Sequence, residues 1–172
     1  KLACVPFHMW APDVYEGAPT SVSLYMSTIP KISFIVVCVK IIYIYFNSLF
    51  FNVQNFLVLI SLLSISIGAL LGIIQKRFKR LLIYSSISHV GFILFGISTS
   101  NSIDNLANSF VYLSIYLFIT ITVWCIYISL RSSKNKNSII YINDLSSLIY
   151  NNSTLSFILL IILFSMAGIP PL

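Results

Sequence analysis

Val53–Arg80 reads VQNFLVLISLLSISIGALLGIIQKRFKR. Val53 to Gln75 carries no charged side chain, and Lys76, Arg77, Lys79 and Arg80 then follow within five residues. A helix crosses a hydrocarbon core of about 30 Å with roughly 20 apolar residues, each rising about 1.5 Å. The stretch has that length, and its basic end marks where the chain meets water. This is a transmembrane helix followed by a loop.

Working outward, three more segments meet or approach the same length: Ser21 to Asn47, Leu81 to Thr99 and Leu106 to Leu130. Pro19 opens the first of them, with Thr20 as a capping candidate. The predicted fold is all-α, a polytopic transmembrane bundle of four complete spans. The whole composition agrees. Of 172 residues, 58% are hydrophobic and 8% charged, and the mean hydropathy is +0.97. Soluble domains carry roughly 25% charge, so a soluble enzyme, a disordered tail and a disulfide scaffold are excluded. The net charge of +6 sits in short clusters between uncharged runs, which suits membrane orientation better than phosphate binding. Cys4, Cys38 and Cys125 are isolated in apolar surroundings. An odd count without a C-x-x-C pair indicates neither a disulfide framework nor a metal site.

Two pieces are too short to cross. Lys1 to Val5 is an apolar stub ended by Pro6. Leu155 to Met166 is about 18 Å long as a helix, and Gly168, Pro170 and Pro171 then stop it. A half-helix is therefore expected at each end: residues 1–20 as the end of a broken helix and a loop, 154–172 as the first half of another. Broken helices within membranes need protein or water to satisfy their free backbone groups, and they mark ion sites in transporters. The polar stretch 131–153 is expected to hold a short interfacial helix, with Asp144 as its cap and Leu145, Leu148 and Ile149 on one face. Arg131, Lys134 and Lys136 fall on the same side as Lys76–Arg80, two spans earlier, so this side faces the cytoplasm or matrix.

Few charges remain for the interior. Lys31 lies about 15 Å into a helix counted from Ser21, near the bilayer midplane. An ammonium there is costly unless it faces protein or water, and it is functional by default. A helix starting near Pro30 would instead put it at the surface. Lys40, nine residues on, reaches the far interface and can snorkel. Keeping water from an ammonium makes its proton easier to release, so a mid-membrane lysine can act as a proton relay. His89 lies about 12 Å into its span, with Ser85 one turn earlier and Ser88 beside it. It reads as a relay imidazole or as a histidine held by a carbonyl of the next helix. Lys1 reads equally as a buried group on a broken helix or as a surface residue. His8, beside Trp10, suits an interfacial structural role. Gly68 and Gly72 form G-x-x-x-G, a stripe for close helix packing. Asp13 and Glu16, between Pro12 and Pro19, read as a surface loop engaged in capping or an ion pair. No nucleotide loop, haem pattern or nucleophile–base set is present in the sequence, so no cofactor or metal is expected on this chain.

The run VPFHMWAPDVYEGAPT (Val5 to Thr20), with KRLLIYSSISHVGF (Lys79 to Phe92) and SMAGIPPL (Ser165 to Leu172), closely resembles the antiporter-like subunit 2, or bacterial chain N, family of proton-pumping NADH:ubiquinone oxidoreductase, complex I. The resemblance covers essentially the whole chain, as a central-to-late portion of a longer family member. It implies that Lys1 falls on the lysine of the family's first broken helix, Lys31 on its bridging lysine, and His89 on a histidine of the proton path. A third relay lysine would lie just beyond Leu172, and a partner glutamate well before Lys1. Pro30 departs from the family picture and is expected to shift Lys31 by part of a turn. The resemblance further implies proton relay driven by quinone reduction elsewhere, with NADH, FMN, iron–sulfur clusters and ubiquinone held by other subunits. It implies other complex I membrane subunits and lipid as partners, no nucleic acid, and, with the abundant Asn, Lys, Ile, Tyr and Phe of an A/T-rich genome, a multi-pass place in the mitochondrial inner membrane. Because no helix precedes Lys1 here, a separate chain supplying the upstream helices of a split subunit is a further expectation. Two other classes stay open: a standalone cation/proton antiporter, and a structural membrane segment retained for assembly.

Overall fold

The structure, a computed structural model, describes residues 1–45, 50–99, 103–132, 141–148 and 152–168. Its helices are α1 (Trp10–Gly17), α2 (Thr20–Lys40, continued by a π-helical turn Ile41–Tyr45), α3 (Phe50–Ile74), α4 (Phe78–Thr99), α5 (Ile103–Ser132) and α6 (Ser153–Met166), with a 3-10 turn at Ile142–Ser147 before α6. Among the described residues there is no strand, and Arg77 and Tyr141 form an isolated bridge. Four helices are long and apolar enough to cross a membrane: Thr20–Tyr45, Val53–Ile74, Phe78–Thr99 and Leu106–Leu130. The chain is an all-α, multi-pass membrane bundle.

The N-terminal end corrects the sequence reading. Residues 1–4 have no regular structure and 5–9 form turns, so no half-helix stands before Pro6. Ala3 has φ 59°, in the left-handed region where an L-residue cannot continue a helix. Helix α1 instead occupies the segment expected to be a loop. Pro12 is no obstacle there, because it lies in the first turn, whose N–H groups have no intrahelical acceptor. Asp13 in that turn also complements the helix dipole. Thr20 is likewise not a cap: Pro19 holds the N-cap position, with no side-chain capping bond.

Small residues bring α3 and α4 together. A Cβ on Gly68 would lie 2.9 Å from the Ser88 backbone nitrogen, and one on Gly91 would lie 2.6 Å from Ser64 Oγ. At Gly72 the nearest atom, Tyr84 Cβ, would be 3.7 Å away, an ordinary contact. Backbones this close allow extensive dispersion contact, which drives helix association in a solvent as apolar as the side chains. Gly96 repeats the device toward α5, where a Cβ would meet Ser109 Oγ at 2.6 Å.

Three apolar clusters fill the bundle, one of them joining Ala3, Ala11 and Tyr15 to Ile83 and Ile87 of α4. Phe78, Leu82, Val123, Trp124, Tyr127, Leu130, Leu148 and Leu159 pack at the basic side. Ile35, Ile42, Ile93, Ile97, Leu113 and Tyr116 pack toward the other. Leu148 is thus buried in the bundle, with Leu145 packed beside it, where a lipid-facing interfacial helix was expected. The turn is anchored instead by Ile142 N donating to Lys76 O at 3.0 Å. Asp144 accepts the Tyr141 backbone N–H at 3.0 Å, which closes the turn's first residues. Ile149 lies outside the described residues. After α6, Gly168 takes φ +77°, the conformation that ends helices. Pro170 and Pro171 lie outside the described residues.

Candidate functional site

Helix α2 begins at Thr20, so Lys31 lies about 16 Å along it, well inside the span Thr20–Tyr45. The side chain is 5% exposed. An isolated ammonium at that depth costs about 2.5–3.5 kcal/mol or more. Its Nζ donates a hydrogen bond to the Tyr116 hydroxyl at 3.1 Å and lies 5.5 Å from the centroid of that ring. Among the described residues no carboxylate pairs with it; the ion pairs found there join Arg77 and Arg80 to Asp13 and Glu16.

Helix α5 supplies the next groups. Tyr112 and Tyr116, one turn apart, present two phenols to α4. His89 Nδ1 and the Tyr112 hydroxyl share a hydrogen bond of 2.8 Å, and the His89 ring lies 5.2 Å, centroid to centroid, from that of Tyr116. Lys31, Tyr116, His89 and Tyr112 therefore form one polar belt across α2, α4 and α5. Tyr112 also lines a cleft of about 480 Å³ with Phe92, Gly96, Thr99, Asn108 and Ser109. On the other side of Tyr116, Ser27, Ser86, Thr120 and Trp124 line a small cavity of about 10 Å³, room for about one water.

Neither tyrosine is marked out by the sequence. Their i, i+4 spacing was visible, but a Tyr pair on an apolar helix is ordinary packing until a cation is found against it.

Other expected groups fall elsewhere. The Ser85 and Ser88 hydroxyls donate back to their own helix, to Leu82 O at 2.8 Å and Ser85 O at 2.7 Å. This is the usual outcome for serine in a membrane helix. Lys1 is exposed on the chain, in the irregular N-terminal stretch, with Nζ 5.3 Å from the Phe34 ring centroid. It stands alongside the interior of span α2, not at a helix end, and with Cys4, Phe34 and Cys38 it lines a groove of about 340 Å³. His8 is buried, and neither ring nitrogen has a hydrogen-bond partner among the described residues. Cys4, Cys38 and Cys125 are free thiols. Among the described residues no group of three or more His, Cys, Asp or Glu side chains could hold a metal ion.

Asp13 and Glu16 make inter-element ion pairs. Glu16 pairs with Arg77 and Arg80, and Asp13 with Arg80. The hydrogen bond that Arg77 donates to Glu16, together with the carboxylate's charge, holds the Arg77 guanidinium above its ordinary pKa. Lys79 Nζ adds a bond to Ala18 O at 2.9 Å. The α1–α2 corner is thus tied to the start of α4.

Comparison with known proteins agrees with this architecture. The chain is 43% identical to NADH-quinone oxidoreductase subunit N of Pelagibacter ubique, over all of this chain and 36% of that protein. It is 41% identical to NADH-ubiquinone oxidoreductase chain 2 of Marchantia polymorpha, again over all of this chain and 34% of that one. The chain thus spans about a third of the length of these relatives. A chain of respiratory complex I from Thermus thermophilus superposes with TM-score 0.73 at 28% identity, covering 99% of this chain and 36% of that one. A chain of the Mrp complex from Dietzia sp. shares the fold, with TM-score 0.85 at 21% identity over 99% of this chain and 31% of that chain. The NADH:quinone oxidoreductase/Mrp antiporter, TM family matches residues 1–172. With four spans, an intramembrane lysine and a match along its whole length, the chain belongs to the NADH:quinone oxidoreductase/Mrp antiporter transmembrane family.

Proposed function

We propose that this chain is the central-to-late part of a proton-translocating membrane subunit of an NADH:ubiquinone oxidoreductase, and that Lys31 is its proton-carrying group. The observation that carries the reading is the buried Lys31 ammonium, held at mid-span by a neutral phenol with no carboxylate pairing among the described residues. A group held by a neutral partner can change charge without stranding a buried counter-charge, which suits a site that must load and unload.

In this reading Lys31 passes a proton to the Tyr116 oxygen while the Tyr116 hydroxyl proton moves on. The neighbouring His89 takes it, through a water or a small ring rotation, and Tyr112 links His89 to the cleft beyond. Lys1 belongs to the same route as a second cation whose charge biases Lys31. Ser85 and Ser88 play no direct part, since their hydroxyls are engaged within α4. Redox chemistry, with NADH, FMN, iron–sulfur clusters and ubiquinone, belongs to other subunits, and the complex is the enzyme. The partners are other membrane subunits and lipid. The residue usage of an A/T-rich genome is what supports a place in the mitochondrial inner membrane.

The test is proton translocation per NADH oxidised by the assembled complex in sealed vesicles. Lys31→Met should abolish most of the translocation while the complex still assembles. Unchanged translocation overturns the relay, and cation-dependent proton flux by the isolated subunit would point to a standalone antiporter.

A further inference from the structure

A helical carbonyl at position i accepts the N–H of residue i+4. Proline has no N–H, so Pro30 inside α2 leaves the carbonyl of Met26 without that donor. The Tyr15 hydroxyl, from α1, donates to this same oxygen at 2.9 Å. Tyr15 is fastened to α2 a second time, because its own backbone carbonyl accepts a bond from the fully buried Ser23 hydroxyl at 2.9 Å. One residue thus grips α2 at two points in the turns before Pro30.

The grip is held firmly from behind. The Tyr15 side chain is 6% exposed and packs with Ala3, Ala11, Ile83 and Ile87. The flanking Asp13 and Glu16 tie α1 to Arg77 and Arg80. Burial, with a smaller contribution from Tyr116, pushes the Tyr15 phenol up to about 12, so it remains a donor at any physiological pH. Lys31 is the residue after Pro30. Where its Nζ falls relative to Tyr116 depends on the direction α2 takes as it leaves the turn whose bond is missing.

We propose that Tyr15 is a positioning residue: by donating to the Met26 carbonyl that Pro30 leaves open, it sets the course of α2 so that Lys31 meets Tyr116. This rests on the relay reading above, and it explains how a helix interrupted by proline keeps a buried cation on a single phenol. A residue in a short surface helix, outside the four spans, then governs the proton group inside the membrane.

The experiment compares Tyr15→Phe, Pro30→Ala and the double variant in the assembled complex in sealed vesicles, with Lys31→Met alongside. Protons translocated per NADH oxidised are measured together with complex abundance. Tyr15→Phe removes one oxygen and should lower the proton ratio about three- to tenfold, the scale of one lost hydrogen bond. Pro30→Ala returns an N–H to residue 30 that can bond Met26 directly. Adding Tyr15→Phe to it should therefore leave the Pro30→Ala ratio unchanged. An equal fall in both backgrounds overturns the proposal, and so does a Tyr15→Phe complex that is scarcer but pumps at the normal ratio, which is a purely structural role. If Tyr15→Phe alone does not assemble, the double variant decides: a ratio equal to that of Pro30→Ala supports the proposal, and failure to assemble overturns it. The two readings fail separately. A normal ratio in Lys31→Met sinks the relay, whereas loss in Lys31→Met with a normal ratio in Tyr15→Phe sinks the positioning role alone.

Discussion

Lys31 Nζ and the Tyr116 hydroxyl, 85 residues apart in the chain, meet at 3.1 Å in the middle of the bundle. The contact joins α2 to α5, and the Tyr116 ring is itself part of the apolar cluster with Ile35, Ile93, Ile97 and Leu113. A cation so placed is held by one hydrogen bond and a ring face, so changes to either partner have unequal consequences.

Removing the cation should cost function and spare the fold. Lys31→Met replaces a buried ammonium with an apolar chain of similar length, a change that is often neutral or stabilising. Proton translocation by the complex is expected to fall at least about tenfold, with thermal stability of the purified complex unchanged or slightly raised. A marked loss of stability instead would assign Lys31 to the structure.

Removing the phenol oxygen should cost stability as well as translocation, because Tyr116 both holds the cation and takes its proton. Tyr116→Phe leaves the ammonium without its acceptor, at a cost of about 1–3 kcal/mol. In a Lys31→Met background the same substitution should cost little, because no buried cation remains to be satisfied. A double-mutant cycle on thermal stability reads the difference; additive effects would mean that the hydrogen bond contributes nothing.

The α3–α4 seam is expected to tolerate no methyl at Gly68. Its Cβ would lie 2.9 Å from a backbone nitrogen, which cannot swing aside as a side chain can, so Gly68→Ala should destabilise by about 1–3 kcal/mol. Gly17, with nothing within 4 Å, serves as the control, and Gly17→Ala should change stability by less than about 0.5 kcal/mol. Expression level and melting temperature in detergent provide the comparison.

The ion pairs of Arg80 with Asp13 and Glu16 should matter little to overall stability. The Arg80 and Asp13 side chains are 36% and 71% exposed, and such pairs contribute about 0–1 kcal/mol and are screened by salt. Arg80→Gln is expected to lower stability by less than about 1 kcal/mol at low ionic strength, and by less again at high ionic strength. Protease sensitivity at the α1–α2 corner, measured at both ionic strengths, checks it.

The long elements were legible because lipid imposes a length and a polarity that a sequence either meets or fails. Val53–Gln75 could hardly be anything else. The short ones were not. Pro12 and Pro19 make the segment of α1 read as a loop, since nothing local says that proline falls in a first turn until the helix start is known. The stub at Lys1–Val5 read as helix from its apolar residues, while the backbone at Ala3 takes the left-handed region. Leu148 looked lipid-facing beside its polar neighbours, and only its packing against Phe78 and Leu159 puts it in the core.

What the amino-acid order settles by itself is the solvent. With 8% charged residues the chain must lie in a membrane, because hydropathy and rise per residue are properties of single segments; Lys31 lies within it only because α2 starts at Thr20 and not near Pro30. What meets Lys31 is a property of pairs of segments. Tyr116, His89 and the Tyr15 hydroxyl on the Met26 carbonyl are distant in the chain and carry no local mark of their use. Only helix packing brings them within hydrogen-bond or ring-contact range, and a glycine helps at one of these seams, where Gly96 lets α4 approach α5.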